Sequence, residues 1–274
     1  MISLAALLLA FVPVARAADP GPSFKKAVIV ILENTSYDQA LAQPFMAGLA
    51  KQGALLSNYH AVTHPSQPNY VALISGSNAG VPDDKPVNLS RRHLGDLLEA
   101  AGKSWRVFAE AYPGNCFLGA TAGKYARKHV PFLSFKSVQL DPARCARVTD
   151  ASGFADAARG GSLPDFSLYI PDLNDDGHDT GAPYADDWLK RTIGPLLPAW
   201  PADTLLVVTF DEDDRKNPDN QVYAALYGGG VAPGSESQDS LSHYSLLKTI
   251  EQSLGLGSLG AGDASAAPIT GVWR

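Results

Sequence analysis

The sequence predicts an α/β fold, a mostly parallel central sheet with helices on both faces, and three observations carry that reading. Apolar runs rich in β-branched residues recur along the chain. They are almost continuously apolar rather than alternating, and helical patterns separate them. Unbroken apolar runs belong to strands buried on both faces, which a helix-covered sheet provides. With 45% hydrophobic residues over 274 positions, the chain has the side chains for a substantial core.

Taken in order, the first strand is expected at Ala27–Leu32 (AVIVIL). A helix follows at Pro44–Gln52, stopped by Gly53, and a shorter one at Asn69–Ile74. Leu94–Ala101 forms the next helix, stopped by Gly102; a glycine just past a helix suits the left-handed C′ position. Strands are expected at Trp105–Glu110, Phe166–Ile170, Thr204–Phe210 (TLLVVTF) and Val222–Tyr227. Two further helices read as Tyr184–Leu197 and His243–Leu254. Gly114–Gly161 is poor in strand signals and reads as an inserted loop or cap region. The Gly/Ala/Ser-rich tail after Leu254 reads as irregular.

Residues 1–17 carry a short apolar run ending in Ala15-Arg16-Ala17, the pattern of a secretory signal peptide. No Lys or Arg precedes that run, and an N-terminal core helix is the alternative. The expectation is a single domain over 18–274, secreted or periplasmic, without stable membrane insertion. A net charge of −6 argues against a nucleic-acid partner. The basic patch Lys124-Tyr125-Ala126-Arg127-Lys128-His129 suits a small anionic substrate, and a solvated basic face is its plain alternative. Cys116 and Cys145 stand alone and, in an exported chain, are expected to form a disulfide; free buried thiols are the alternative.

In α/β sheets ligands bind at the carboxyl ends of the strands. There the sequence places Glu33-Asn34 after the first strand, Asp172–Asp179 with His178 after Phe166–Ile170, and Asp211-Glu212-Asp213-Asp214 after Thr204–Phe210. Carboxylate and amide oxygens in this number suit one hard divalent cation. Each stretch also has a plainer reading. Ser36-x-x-Gln39 is a capping box, although it leaves Glu33 and Asn34 unexplained. Asp172–Gly177 matches the start of a calcium loop, but Pro183 stands where such a loop needs glutamate, so it also reads as a solvated turn. Ser66, in Thr63-His64-Pro65-Ser66-Gln67-Pro68-Asn69-Tyr70, sits at a helix start; it is either a simple N-cap or a nucleophile facing an anion.

The segments VILENTSYD, THPSQPNY, GKYARKHVP, DEDD and SHYSLLKTIE, in this order, resemble the phosphoesterase family of bacterial secreted acid phosphatases and phospholipase-C-type enzymes. The likeness covers about Phe24 to Trp273, is greatest to the short acid phosphatases, and implies an alkaline-phosphatase-like fold. It implies a metal held by Glu33, Asn34, Ser66, Asp211 and Glu212, the ion being Ca, Mg, Mn or Zn. Ser66 matches the nucleophile, which passes through a phosphoserine. Asn69 matches a phosphate ligand, with His64 in the same shell, and His178 and His243 match histidines at the phosphate or leaving group. Lys124 and Arg127 are expected to draw in substrate. The implied activity is hydrolysis of phosphate monoesters, with phospholipase-C-type diester cleavage, and so phospholipid head groups, as the alternative. A serine esterase is the lesser rival: Ser66, Asp211 and His243 follow the required order, but the chain has no G-x-S-x-G. An anion- or metal-binding protein without turnover is the remaining one.

Overall fold

The computed structural model describes residues 19–274, so the expected leader at 1–17 lies outside the described residues. Eight strands form one sheet: β1 (Lys26–Leu32), β2 (Ala54–Leu56), β3 (Trp105–Ala109), β4 (Val148–Asp150), β5 (Phe166–Ile170), β6 (Thr204–Phe210), β7 (Ala224–Gly228) and β8 (Ser235–Ser237). Their order is β8-β2-β7-β6-β1-β5-β3-β4. From β6 to β4 every neighbour is parallel, and β7 runs antiparallel to both β6 and β2. All seven residues of β6 are buried, odd and even alike, so both faces of the sheet centre are covered. Each Val or Leu buried there contributes about 1.5–3 kcal/mol.

The register sets the position of the functional residues. Leu32 lies opposite Phe210, and Val30 lies opposite Tyr169. The chain therefore leaves β1, β5 and β6 at one sheet edge, which brings residues 33–36, 171–179 and 211–214 together.

Two groups of helices flank the sheet. α1 (Tyr37–Leu41), α2 (Pro44–Gln52) and α5 (Ala182–Thr192) pack on one another, while α3 (Ser66–Ser75) packs against α4 (Leu94–Ala100), α6 (His243–Ser253) and the segment 127–134. Every residue of α3 is buried, as its all-round apolar middle requires.

The α/β expectation is met, and its departures have local causes. Gly102 takes the left-handed conformation at φ +68° as expected. Gly53 does not, at φ −121°; it is needed because a Cβ there would strike the Leu226 carbonyl on β7. The helix expected through Leu197 ends at Thr192 and continues as a 3-10 turn over Gly194–Ala199, where Pro195 and Pro198 remove amide donors. Ser36 stands at the N-cap of α1 but makes no side-chain cap bond, and Gln39 donates instead to Asp214, so the capping box does not form. Within the stretch expected as an insertion the Cys116–Cys145 disulfide is formed, and the chain just after it becomes β4 at the sheet edge.

Candidate active site

Pro65 is the N-cap residue of α3, which makes Ser66 its first helical residue, and the Ser66 side chain makes no cap bond. The N-cap reading of this serine is thereby excluded. Its hydroxyl instead faces three oxygens from two strand ends: Glu33 Oε2 at 3.0 Å, Glu212 Oε1 at 3.2 Å and Asn34 Oδ1 at 3.3 Å. A serine hydroxyl has one proton to donate. The other two oxygen–oxygen contacts are unrelieved by hydrogen.

Asn34 reaches this position with φ +46°, a left-handed conformation that asparagine tolerates better than most residues. Its amide N–H donates to Asp211 Oδ1 at 3.1 Å. Asp211 Oδ2 is buried without a hydrogen-bond partner, and Glu33 Oε1 has only the His129 ring nitrogen, at 3.1 Å but out of line for a hydrogen bond. Burial raises the Asp211 carboxyl well above its ordinary range, with Glu33 and Glu212 adding to the rise. Burial also raises Glu212, against the opposing pull of His64. On Glu33 burial acts upward too, but His129, helped by Lys128 and Tyr70, outweighs it and holds that group down to about 2. Orphaned carboxylate oxygens around a hydroxyl that cannot satisfy them fit a divalent cation. Glu33, Asn34, Ser66, Asp211 and Glu212 are the residues that can hold it.

Other groups steady this set. His64 Nδ1 pairs with Glu212 Oε2, and its Nε2 lies 3.6 Å from Asp213. Asn220 accepts from the Asp213 amide at 2.8 Å and donates to the Thr63 carbonyl at 2.9 Å, tying the acidic turn to the serine loop. His129, buried and stacked on Tyr70, stands between Glu33 at 3.1 Å and Asp176 at 3.5 Å. Burial, with the Glu33 charge adding, pushes Asp176 up to about 8.

Three expected roles need correction. Asn69 does not present its amide to a ligand. Its Oδ1 accepts from the Val62 and Thr63 amides and its Nδ2 donates to the Thr63 and Pro65 carbonyls, so it shapes the loop before Ser66. His243 is fully buried: Nε2 bonds the Asp211 carbonyl at 2.7 Å and Nδ1 the Tyr59 hydroxyl at 3.0 Å. Burial holds it down to about 4, so it is a neutral support beneath Asp211 rather than a proton donor. Arg127 is buried, and its guanidinium donates to the Leu118, Val87 and Leu133 carbonyls and to Asn88; it clamps the surrounding loops, and its Nε is sealed in without a partner rather than turned to a substrate.

His178 is exposed, bonds Asp179 at 2.9 Å, and lies two residues beyond Asp176 without touching Ser66. Lys124 is half exposed, 3.7 Å from the same Asp179. The sequence reading passed over His129, Asp176 and Asn220 as individual site residues. His129 was within the basic patch and Asp176 within the acidic turn, but no spacing rule pairs them.

A second acidic group, Glu110, Asp172 and Asp175, brings carboxylate oxygens within 4.8 Å of one another beyond β3 and β5. Glu110 accepts from Tyr169 at 2.7 Å, the Asp172 amide at 3.0 Å and Trp188 at 3.2 Å, and Asp172 Oδ1 from the Asn174 and Asp175 amides at 2.8 and 3.1 Å. Burial raises Glu110 to about 7. Burial raises Asp175 as well, and this group lies apart from the oxygens around Ser66.

Comparisons with known proteins bear on the family and the fold. A profile of the Phosphoesterase family matches residues 39–257. A probable acid phosphatase of Kluyveromyces lactis is 35% identical over 262 residues, covering 90% of this chain and 62% of that protein. The chain thus spans less than two thirds of the length of this fungal relative. A phosphatidylinositol-3-phosphatase of Mycobacterium tuberculosis is 38% identical over 278 residues, covering 99% of this chain and 90% of that protein. Among solved structures, a protein in the alkaline phosphatase superfamily from Vibrio parahaemolyticus superposes with a TM-score of 0.62 at 11% identity, over 90% of this chain and 71% of that one. Phosphonate monoester hydrolase from Silicibacter pomeroyi does so at 0.57 and 13% identity, over 91% and 78%. These two likenesses are of fold. On the match over residues 39–257 and on these sequence relatives, the chain belongs to the phosphoesterase family.

Proposed function

We propose that this chain is an exported, metal-dependent acid phosphatase that hydrolyses phosphate monoesters through Ser66. The observation that carries the proposal is the Ser66 hydroxyl set against Glu33, Asn34 and Glu212 at 3.0–3.3 Å, with orphaned carboxylate oxygens behind it. A divalent cation held by Glu33, Asn34, Asp211 and Glu212 would lower the pKa of the serine hydroxyl and neutralise charge at the phosphoryl group.

The residues of the chain supply the rest. Ser66 Oγ is directed at phosphorus by its place at the first turn of α3, and its proton passes to the adjacent carboxylate set. As the Oγ–P bond forms, the bond to the leaving oxygen breaks, giving phosphoserine; water then cleaves that ester, releasing phosphate and restoring the hydroxyl. His64 keeps 29% of its side chain open, and its Nε2 has Asp213 only at 3.6 Å, which supports it as the imidazole that protonates the leaving oxygen. His178, on the exposed turn two residues beyond Asp176, is assigned a contact with the leaving group.

The fungal relative's name supports an acid phosphatase, and the mycobacterial one supports phosphoinositide head-group monoesters as part of the substrate class. The residue 1–17 segment and the disulfide support export, with one catalytic domain over 18–274 and the 114–161 insertion as part of it.

The test is p-nitrophenyl phosphate hydrolysis at pH 5–8, with and without chelator. Wild-type turnover is expected to vanish with chelator and return with an added divalent cation, and Ser66→Ala to lose at least ~1,000-fold in kcat. Wild-type activity in Ser66→Ala would exclude the serine mechanism, and undiminished activity in chelator would exclude the metal.

A further inference from the structure

Asp84 is placed in an unexpected position. Its Oδ1 accepts the backbone N–H of Gln67, the residue after Ser66, at 2.9 Å, and its Oδ2 accepts from Lys128 Nζ at 3.0 Å. One carboxylate thus bridges the amide beside the nucleophile and an ammonium group. That N–H belongs to the first turn of a ten-residue helix, where exposed amides favour an anion. The arrangement is built rather than incidental, because the Gln67 side chain holds the same loop through the Asp83 and Lys85 carbonyls at 2.9 and 2.6 Å.

Of the basic patch, Lys128 joins Asp84 here, next to the His129 that stands against Glu33. The Lys128 side chain is 19% exposed. Burial opposes its charge, but Glu33, Asp84 and Asp211 together raise its pKa and keep it an ammonium. One carboxylate, Asp84, spans Lys128 Nζ and the amide of the residue after Ser66, which brings the ammonium within electrostatic reach of a phosphoryl group on that hydroxyl. The Asp84 side chain is 36% exposed, so its carboxylate borders solvent.

Resting on the phosphatase reading, we propose that Lys128 and the Gln67 N–H form the seat for the second negative charge of a phosphate monoester, and that Asp84 fills this seat until substrate displaces it. A monoester dianion matches a site with an ammonium and an amide donor to spare; a diester carries one charge fewer and places a second ester group there. Lys128 is thus a specificity-determining residue, and Asp84 is a built-in competitor.

The experiment measures calorimetric binding of inorganic phosphate and of dimethyl phosphate at pH 8, with the divalent cation that best supports turnover, alongside p-nitrophenyl phosphate kinetics. Lys128→Met is expected to weaken phosphate roughly 100-fold and dimethyl phosphate threefold or less, with an unchanged melting temperature. Lys128→Arg keeps the charge and is expected to retain most of the affinity. Asp84→Asn is expected to tighten phosphate about fivefold, since removing an internal competitor frees the competent state. Equal losses for both anions in Lys128→Met, or weaker phosphate binding in Asp84→Asn, would overturn the assignment while leaving wild-type phosphatase activity intact. A wild type that neither binds phosphate nor turns over p-nitrophenyl phosphate would instead remove the phosphatase reading itself.

Discussion

At the residue scale, Asn69 shows how a motif residue can be placed correctly and given the wrong task. Four hydrogen bonds from one buried amide hold the Val62–Pro65 backbone in the shape that delivers His64 and Ser66. Asn69→Ala leaves two N–H groups and two carbonyls without those partners, at a cost of about 2–4 kcal/mol. Thermal unfolding should therefore fall by several degrees together with kcat. A variant with wild-type melting temperature and only a raised KM would show that the amide contacts substrate after all. The Ser66 surroundings were otherwise legible: Glu33, Asn34, Asp211 and Glu212 each follow a strand, and parallel register does the rest. His243 and Arg127 were misassigned because burial is a tertiary property. A histidine at a helix start and an arginine in a basic run look the same in sequence whether solvated or sealed.

At the scale of elements, the buried strands were readable because continuous apolar runs leave few other options. β2 and β8, three residues each, were not, since so short a strand has no period to detect. β7 was expected two residues early, and its antiparallel direction has no local signature. The inserted region is where chain organisation was least legible, and it is tied by the Cys116–Cys145 bond across a sequence separation of 29. Closing a loop of that length stabilises by about 3–4 kcal/mol in the chain-entropy model. The segment within it carries Lys128 and His129 to the site and ends beside the edge strand β4. Replacing both cysteines by serine should lower the unfolding free energy by roughly 3 kcal/mol, read from denaturant midpoints. Because Arg127 independently clamps this segment to Leu118, Val87 and Leu133, phosphatase activity at 25 °C should fall less than stability does. Loss of activity without loss of stability would mean that the disulfide positions the site directly.

At the scale of the whole molecule, buried titratable groups away from the Ser66 cluster set opposing pH slopes. Burial raises Glu110 to about 7 and Glu251 to about 8, the latter with Asp263 adding to the rise. The folded chain keeps these protons where the unfolded chain, with glutamates near 4.5, has released them. Their contribution is therefore complete below about pH 4.5 and is lost as pH rises towards 8. His93 acts in the other direction: burial holds it down to about 4 against an ordinary 6.5. The unfolded chain takes up that proton first, so stability falls as pH drops from 6.5 to 4. The two slopes place the maximum of unfolding free energy between pH 4.5 and 6.5, with a decline on the alkaline side. Urea denaturation from pH 3 to 9 at fixed divalent-cation concentration measures it. The slope from pH 6.5 to 8 decides: it is expected to be downward, and Glu251→Gln should flatten it because an amide has no proton to lose. A stability still rising across that interval would mean that these carboxyls ionise in the folded state, and that their burial is relieved by water or by a cation.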